Sequence, residues 1–411
     1  MSDRAFLDRY SNKQIEFTFD GAECSFFLSQ GLFSSFDIDA GTRMLLKTVA
    51  ERIDLGDLRS VLDVGCGIGV IGICVAKKAP AAACILQDRD ALAVRISGIN
   101  ARLNKVSAQV QVVGDIAFQG LPQNNYDLIV SNLPAKAGMP VLDHMMRCAL
   151  EHISSSGSIA AVVVLPLAEA LKAVVLSAGG RITYSEESHE HCVIHVVRES
   201  SKQTGNTGAS GAVDSYMRRA GSFIFKKRSY RLETAYNLPS FDTLGRNLEL
   251  AYGLADRFLL GAGDLKKILV WNPGHGHFPC YLSSQRNEAH SITYYLASHD
   301  ALQLAVTTRN LTALGIGREN ATFHVPDLDS LSASMGADEL SLMAVFPRPI
   351  PGVQWYNQVA SFARAFIRKG GYLLVSSTST EIHRVQQALK GMAILGNKKD
   401  RGSRAIICKK T

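Results

Sequence analysis

The chain has 411 residues, 46% apolar and 20% charged, which is enough for two hydrophobic cores and excludes an intrinsically disordered protein. Its formal charge of +7 is unevenly spread: residues 1–200 hold 18 basic and 22 acidic side chains, whereas residues 201–411 hold 26 and 15, a basic half that suits a polyanionic partner. The absence of any run of about 18 apolar residues, a polar N-terminal stretch and eight cysteines scattered without a C-x-x-C pair predict no membrane span, no secretory leader and no metal centre, in a cytoplasmic setting.

In chain order, short apolar runs at 60–64, 83–87, 108–113, 127–131, 158–165, 181–184 and 192–197 predict strands. Helical spacing of apolar residues fills 71–78, 91–104 and 142–152 between them. Nearly continuous apolar strands alternating with helices predict an α/β doubly wound, mainly parallel sheet covered on both faces. The last two runs follow one another closely, which predicts an antiparallel hairpin at the sheet edge. A sheet ending that way resembles the class I methyltransferase arrangement.

The stretch SSKQTGNTGASGAVDS, residues 200–215, is rich in Gly, Ser and Thr and predicts a flexible linker between a domain at 1–199 and another at 216–411. Beyond it the same order returns. Gly67 and Gly69 match Gly274 and Gly276, Asp90 and Asn100 match Asp300 and Asn310, Asp115 matches Asp327, Pro134 matches Pro347, and Gly157 matches Gly371. The offset grows by small steps, as short loop insertions in a duplicated unit would make it grow. Two tandem folds of one type are therefore expected.

The chemistry-bearing motif is Asp63-Val64-Gly65-Cys66-Gly67-Ile68-Gly69, placed where a strand turns into a helix. Its glycines let backbone approach a ligand, with helix N-terminal amides alongside. With Asp88 further on, the pattern also satisfies a dinucleotide fingerprint, so a nicotinamide cofactor and S-adenosylmethionine both fit at this point. Asp63, inside the strand, suits the amino group of S-adenosylmethionine better than a pyrophosphate. The deciding feature is Ser131-Asn132-Leu133-Pro134-Ala135-Lys136 at the C-terminal edge of a later strand. An Asn side chain and a nearby carbonyl there can hold both protons of an exocyclic amine and turn its lone pair toward a methyl group.

With these motifs, residues 15–198 resemble the small-domain methyltransferases that modify guanine N2 in ribosomal RNA. The resemblance also rests on Gly31-Leu32-Phe33-Ser34 and on Asp39-Ala40-Gly41-Thr42-Arg43-Met44-Leu45-Leu46, stretches that plain dinucleotide-binding dehydrogenases lack. It implies that Asp63, Gly65, Gly67 and Gly69 cradle the methionine part of S-adenosylmethionine, that Asp88 binds its ribose, and that Asp115 and Ile116 hold its adenine. It implies that Asn132 and Pro134 hold the target amine, with Lys136 beside them for a phosphate. Where the family commonly has N-P-P followed by an aromatic that stacks on the base, this chain has Ala135, so stacking is left unassigned.

In the second unit Val270, Asn272, Ser298 and Val345 are expected at the positions of Asp63, Gly65, Asp88 and Asn132, so that unit is expected to have lost cofactor binding. It has gained charge instead: Arg218, Arg219, Lys226, Lys227 and Arg228, interleaved with Phe223, Phe225 and Tyr230, predict RNA contact by phosphate pairing and base stacking. The His189–Cys192 region with His195 predicts a strand rather than a metal site. The whole predicts an S-adenosylmethionine-dependent N-methyltransferase acting on a base in ribosomal or structured RNA. The alternatives are a protein glutamine or small-molecule amine as acceptor, and a non-catalytic RNA-binding protein.

Overall fold

The computed structural model describes all residues except 122–124, 200–210, 241, 263, 287–290, 318 and 336–339. The chain divides into two compact units, Ser2–Tyr216 and Met217–Thr411. Of the stretch expected to be a linker, 200–210 lies outside the described residues. Its end is a short helix, Ala212–Tyr216, which closes the first unit with Tyr216 buried and Arg89 stacked over its ring at 6.0 Å.

The first unit opens with a hairpin that apolar run-counting does not reveal, β1 (Lys13–Phe19) and β2 (Ala22–Leu28). Its turn is Asp20-Gly21, with both residues at positive φ, the conformation a two-residue hairpin turn requires. Seven further strands come after it: β3 (Ser60–Val64), β4 (Ala83–Asp88), β5 (Val110–Gly114), β6 (Tyr126–Asn132), β7 (Ile153–Val164), β8 (Gly180–Glu187) and β9 (His191–Arg198). They form one sheet in the order β5-β4-β3-β6-β7-β9-β8, parallel except for β9, which runs antiparallel to both neighbours. The expected edge hairpin is therefore β8–β9. Strand β3 is buried from Val61 through Val64, with Asp63 as the one acid inside it.

The second unit repeats this plan with β10 (Met217–Phe225), β11 (Arg228–Ala235), β12 (Lys267–Trp271), β13 (Thr293–Ser298), β14 (Ala321–His324), β15 (Leu340–Val345), β16 (Ile367–Thr378), β17 (Met392–Asp400) and β18 (Ser403–Lys410). Strands β10 and β11 make the leading hairpin, and the sheet order is β14-β13-β12-β15-β16-β18-β17. One fold is thus used twice.

The same local devices hold both copies. Helices Ala91–Leu103 and Ala301–Ala313 are each N-capped by an aspartate, Asp90 accepting from Leu92 N at 2.9 Å and Asp300 from Leu302 N at 3.0 Å. Asn100 accepts from Phe27 N and donates to the Ile68 carbonyl, fastening the leading hairpin to the glycine turn. Asn310 does the same with Glu233 N and the His275 carbonyl. A Cβ on Gly157 would lie 2.5 Å from the Tyr126 carbonyl, and one on Gly371 2.9 Å from that of Leu340, so strand contact excludes a side chain at both places.

The structure corrects two expectations for the second unit. Sheet register sets Asp63 beside Val130 and Val270 beside Ala344, so the counterpart of Asn132 is Phe346, one residue beyond Val345. The aromatics among the basic residues do not await a base. Phe223 and Tyr230 are buried in the core, and Phe225 packs edge-on against Tyr252 and Tyr281. Alternation along β10 and β11 turns these rings inward and leaves the cations outside.

Candidate functional site

Strands β3, β4 and β6 end together, and the turns that leave their C-terminal ends build the site. After β3 the backbone turns through Gly65, Gly67 and Gly69, all at positive φ, into the helix Val70–Lys78. A Cβ on Gly65 or Gly67 would meet nothing within 4 Å, so these glycines border open space. Gly69 differs: its Cβ would strike Ile73 and Leu86, and only glycine fits the packing there.

Asp63 is fully buried. Its Oδ2 accepts from Gly72 N at 2.8 Å, pinning the helix to the strand, while its Oδ1 has no hydrogen-bond partner. Burial pushes its carboxyl pKa up to about 7. Asp88, at the end of β4, accepts from Gly67 N at 2.9 Å and Asp90 N at 2.8 Å, and burial raises its pKa to about 6. An orphaned acid oxygen and a second raised carboxyl beside an open glycine turn suit a ligand that brings positive charge and hydroxyl donors.

Asp115 lies just beyond β5, its Oδ1 accepting from Ile116 N at 2.8 Å. The loop beyond it is held by Gln87, a residue that the sequence reading leaves unremarked. Buried in β4, Gln87 donates to the Gln119 carbonyl at 2.6 Å and accepts from Phe118 N at 2.8 Å. Its one visible signal is a polar side chain inside the apolar strand Ala83–Asp88.

Asn132 ends β6. The neighbouring Ser131 donates to the Val64 carbonyl at 2.8 Å, so Asn132 leaves the sheet alongside the glycine turn. Its Nδ2 donates to Asp39 Oδ1 at 3.2 Å and to Thr42 Oγ1 at 3.0 Å. Because a carboxylate only accepts, the amide nitrogen must face Asp39 and Oδ1 must face away. Among the described residues nothing donates to that Oδ1. Asp39 caps the helix Ala40–Arg52 through Thr42 N at 3.0 Å and also accepts from Thr42 Oγ1 at 2.6 Å and Ser34 Oγ at 3.1 Å. Asp39 stands in one of the stretches that carry the family resemblance, but its clamp on Asn132 joins residues 93 apart and has no sequence signal. Pro134 leads into the short turn Ala135–Ala137, and Lys136 is exposed on it.

The remaining candidates lie elsewhere. His191 and His195 are on β9, as the apolar spacing predicts. His195 is buried against Thr48 at 2.9 Å, and burial lowers its pKa to about 4. Among the described residues no group of three or more His, Cys, Asp or Glu is placed to hold a metal ion. In the second unit Arg218 and Arg219 both pair with Asp242, and Lys226 and Arg228 with Asp256; Lys227 occupies the β10–β11 turn.

The second unit's glycine turn is built differently inside. Asn272, at the place of Gly65, keeps the left-handed conformation with φ 54°, and its Oδ1 accepts from Ser298 Oγ at 3.1 Å. Gly274 N, which in the first unit would bond Asp88, donates to Gln303 Oε1 at 3.0 Å. Asn272 and Gly274 thus find their partners inside the unit, while the buried His275 Nδ1 has none among the described residues.

The sheet order β5-β4-β3-β6-β7-β9-β8, with a glycine turn after β3 and an Asn-x-Pro turn after β6, defines the class I methyltransferase fold. Residues 23–178 match the family model described as the methyltransferase small domain. A protein of Mannheimia succiniciproducens called ribosomal RNA small subunit methyltransferase C is 38% identical over 126 residues, 31% of this chain and 35% of that protein. Its Haemophilus influenzae (strain PittGG) namesake is 32% identical over 148 residues, 34% of this chain and 43% of that one. The matched region thus spans well under half the length of these curated relatives. The structure of the T. thermophilus 16S rRNA N2 methyltransferase, in complex with AdoMet and guanosine, superposes over 97% of this chain and 98% of its own with a TM-score of 0.68. At 15% identity that likeness is one of fold, and it extends through both units.

Proposed function

We propose that the chain is an S-adenosylmethionine-dependent N-methyltransferase that modifies the exocyclic amine of a base, guanine N2, in ribosomal RNA. The observation that carries this reading is the Asn132 amide, fixed by Asp39 and Thr42 so that its carbonyl oxygen is offered as an acceptor beside the glycine turn. The named relatives and the T. thermophilus structure, solved with AdoMet and guanosine, point to the same chemistry.

Asp63, Gly65, Gly67 and Gly69 would hold the methionine part of the cofactor, Asp88 its ribose, and Asp115 with Ile116 its adenine. The fit rests on the orphaned Asp63 oxygen and on the open space over Gly65 and Gly67. When bound, S-adenosylmethionine supplies an electrophilic methyl group. The protein's own contribution is alignment. Asn132 Oδ1 accepts one amine proton, and the carbonyl of the Asn132–Pro134 turn accepts the other, which draws the nitrogen lone pair out of conjugation with the ring. Asp39 keeps Asn132 from rotating to present its NH2 group, which would repel the amine. The proton released as the N–C bond forms passes to solvent.

The second unit serves as a non-catalytic partner. The division into a catalytic domain and a second domain, expected at 1–199 and 216–411, is part of this proposal, with the helix Ala212–Tyr216 assigned to the first unit, as is a cytoplasmic location. Arg218, Arg219, Lys226, Lys227 and Arg228 contribute phosphate contacts, and pairing with Asp242 and Asp256 sets the positions of all but Lys227. Methyl transfer from labelled S-adenosylmethionine to RNA, to protein extract and to a metabolite pool tests the proposal. Label in RNA, mapped to a guanine N2, supports it. Label only in protein or metabolites overturns the substrate, and no label anywhere overturns the activity.

A further inference from the structure

The base-stacking ring that Ala135 fails to provide has a candidate on another loop. Residues 29–38 join β2 to the helix that Asp39 caps, and Phe33 on this loop is 75% exposed. The loop is held on all sides: Leu32 N donates to the Ser29 carbonyl at 3.1 Å, Ser35 Oγ to the Leu32 carbonyl at 2.7 Å, and Asn12 Nδ2 to the Ser35 carbonyl at 2.9 Å. The next residue, Ser34, takes φ 58°, a strained conformation for a residue with a side chain, and its hydroxyl donates to Asp39. Asp39 in turn grips Asn132. A phenylalanine kept in water by a fixed loop contributes nothing to the core, and the chain Ser34–Asp39–Asn132 links it to the amide that faces the substrate.

The second unit supplies an internal control. Its helix Arg246–Phe258 has the same 13-residue length as Ala40–Arg52, and Leu238-Pro239-Ser240 stands where Leu32-Phe33-Ser34 stands. Ser240 keeps the left-handed kink with φ 63°. The kink therefore belongs to the fold and survives, whereas Phe33 becomes Pro239, Asp39 becomes Gly245 and Asn132 becomes Phe346. The ring is lost together with the clamp.

We infer that Phe33 is the platform on which the target base stacks, replacing the aromatic missing after Pro134; this rests on the proposed base methylation. Stacking on an aromatic contributes about 1–3 kcal/mol per base, a factor of roughly 5–150. The experiment is steady-state methyl transfer to RNA by the full chain, with S-adenosylmethionine binding measured in parallel by calorimetry. Phe33→Ala is expected to lower kcat/KM for RNA about 10–100-fold and to change the S-adenosylmethionine Kd less than twofold. Phe33→Trp is expected to restore the rate to within about threefold, and Phe33→Leu is not. Full activity of Phe33→Ala, full rescue by Leu, a loss confined to cofactor binding, or a larger loss from Phe36→Ala would each overturn the assignment. Should the unmodified protein leave RNA unlabelled, the base-methylation reading fails before any variant is made, so the two failures are distinct.

Discussion

The two units keep their hydrogen-bonded framework and differ in the groups that face a ligand. Asn100 and Asn310 fasten hairpin to glycine turn with the same bonds, and Gly69 and Gly276 cap the following helices with φ 87° and 85°. Against that constant frame stand Asp63 and Val270, Asp88 and Ser298, Asp39 and Gly245, Asn132 and Phe346. Residues that hold backbone to backbone are demanded by the fold, so both copies need them. A buried acid with an unpartnered oxygen, as Asp63 has, is a burden to the fold, and a valine at that place removes it.

The comparison is most easily broken at the amine-facing residue. Asn132→Ala is expected to lower kcat about 10²–10³-fold with S-adenosylmethionine binding intact, the usual cost of removing one preorganised polar group, whereas Phe346→Ala should leave kcat within twofold. Steady-state kinetics on both variants decides this, and equal losses would make the second unit catalytic.

Asp63 allows the stability argument to be tested by pH. An unfolded aspartate titrates near 4, whereas burial holds Asp63 at about 7. A carboxyl raised on folding contributes stability that is present below about pH 4 and lost as the pH rises through about 7, on the order of 4 kcal/mol in all. Asp63→Asn removes this dependence, so its Tm advantage over the parent should grow between pH 5 and pH 8 in thermal unfolding, while cofactor binding falls. Calorimetric titration should also give one S-adenosylmethionine per chain, and none for this variant.

A smaller effect is expected at the clamp. Asp39→Ala frees the Asn132 amide to rotate and should lower kcat about 10–30-fold, with KM for S-adenosylmethionine little changed. Rescue by Asp39→Asn should be poor, because the replacement amide can present its own NH2 to Asn132. The mildest test uses the glycines. Gly67→Ala and Gly274→Ala both place a side chain at positive φ, each costing about 1–2 kcal/mol in thermal unfolding. Only Gly67→Ala should also weaken cofactor binding.

Much of this comparison is legible in the sequence, because strand and helix periods are local signals and the glycine turn is contiguous. Strand β3 at 60–64 falls where the apolar run places it. The hidden part is long-range. The Asp39–Asn132 clamp depends on two elements meeting in space, and the register that pairs Asn132 with Phe346 depends on hydrogen bonding between strands. The inward turn of Phe223 and Tyr230 is present in the alternation of β10 and β11, but a dense run of cations masks it. The leading hairpin is announced by Asp20-Gly21, a signal smaller than the apolar runs around it.

The bond between Asn272 and Ser298 couples the two positions. In the second unit Ser298 donates to Asn272, and Gln303 accepts from the amide of Gly274. A glycine at 272 would remove the acceptor of the Ser298 hydroxyl, which would keep only its bond from Asp300 N, and an acid at 298 would require the Asn272 amide to turn its NH2 toward it. A change at either position therefore alters the partner of the other. An acid at the place of Asp88 and a glycine at the place of Gly65 are thus coupled substitutions, and a double-mutant cycle of Asn272→Gly with Ser298→Asp should show non-additive changes in Tm.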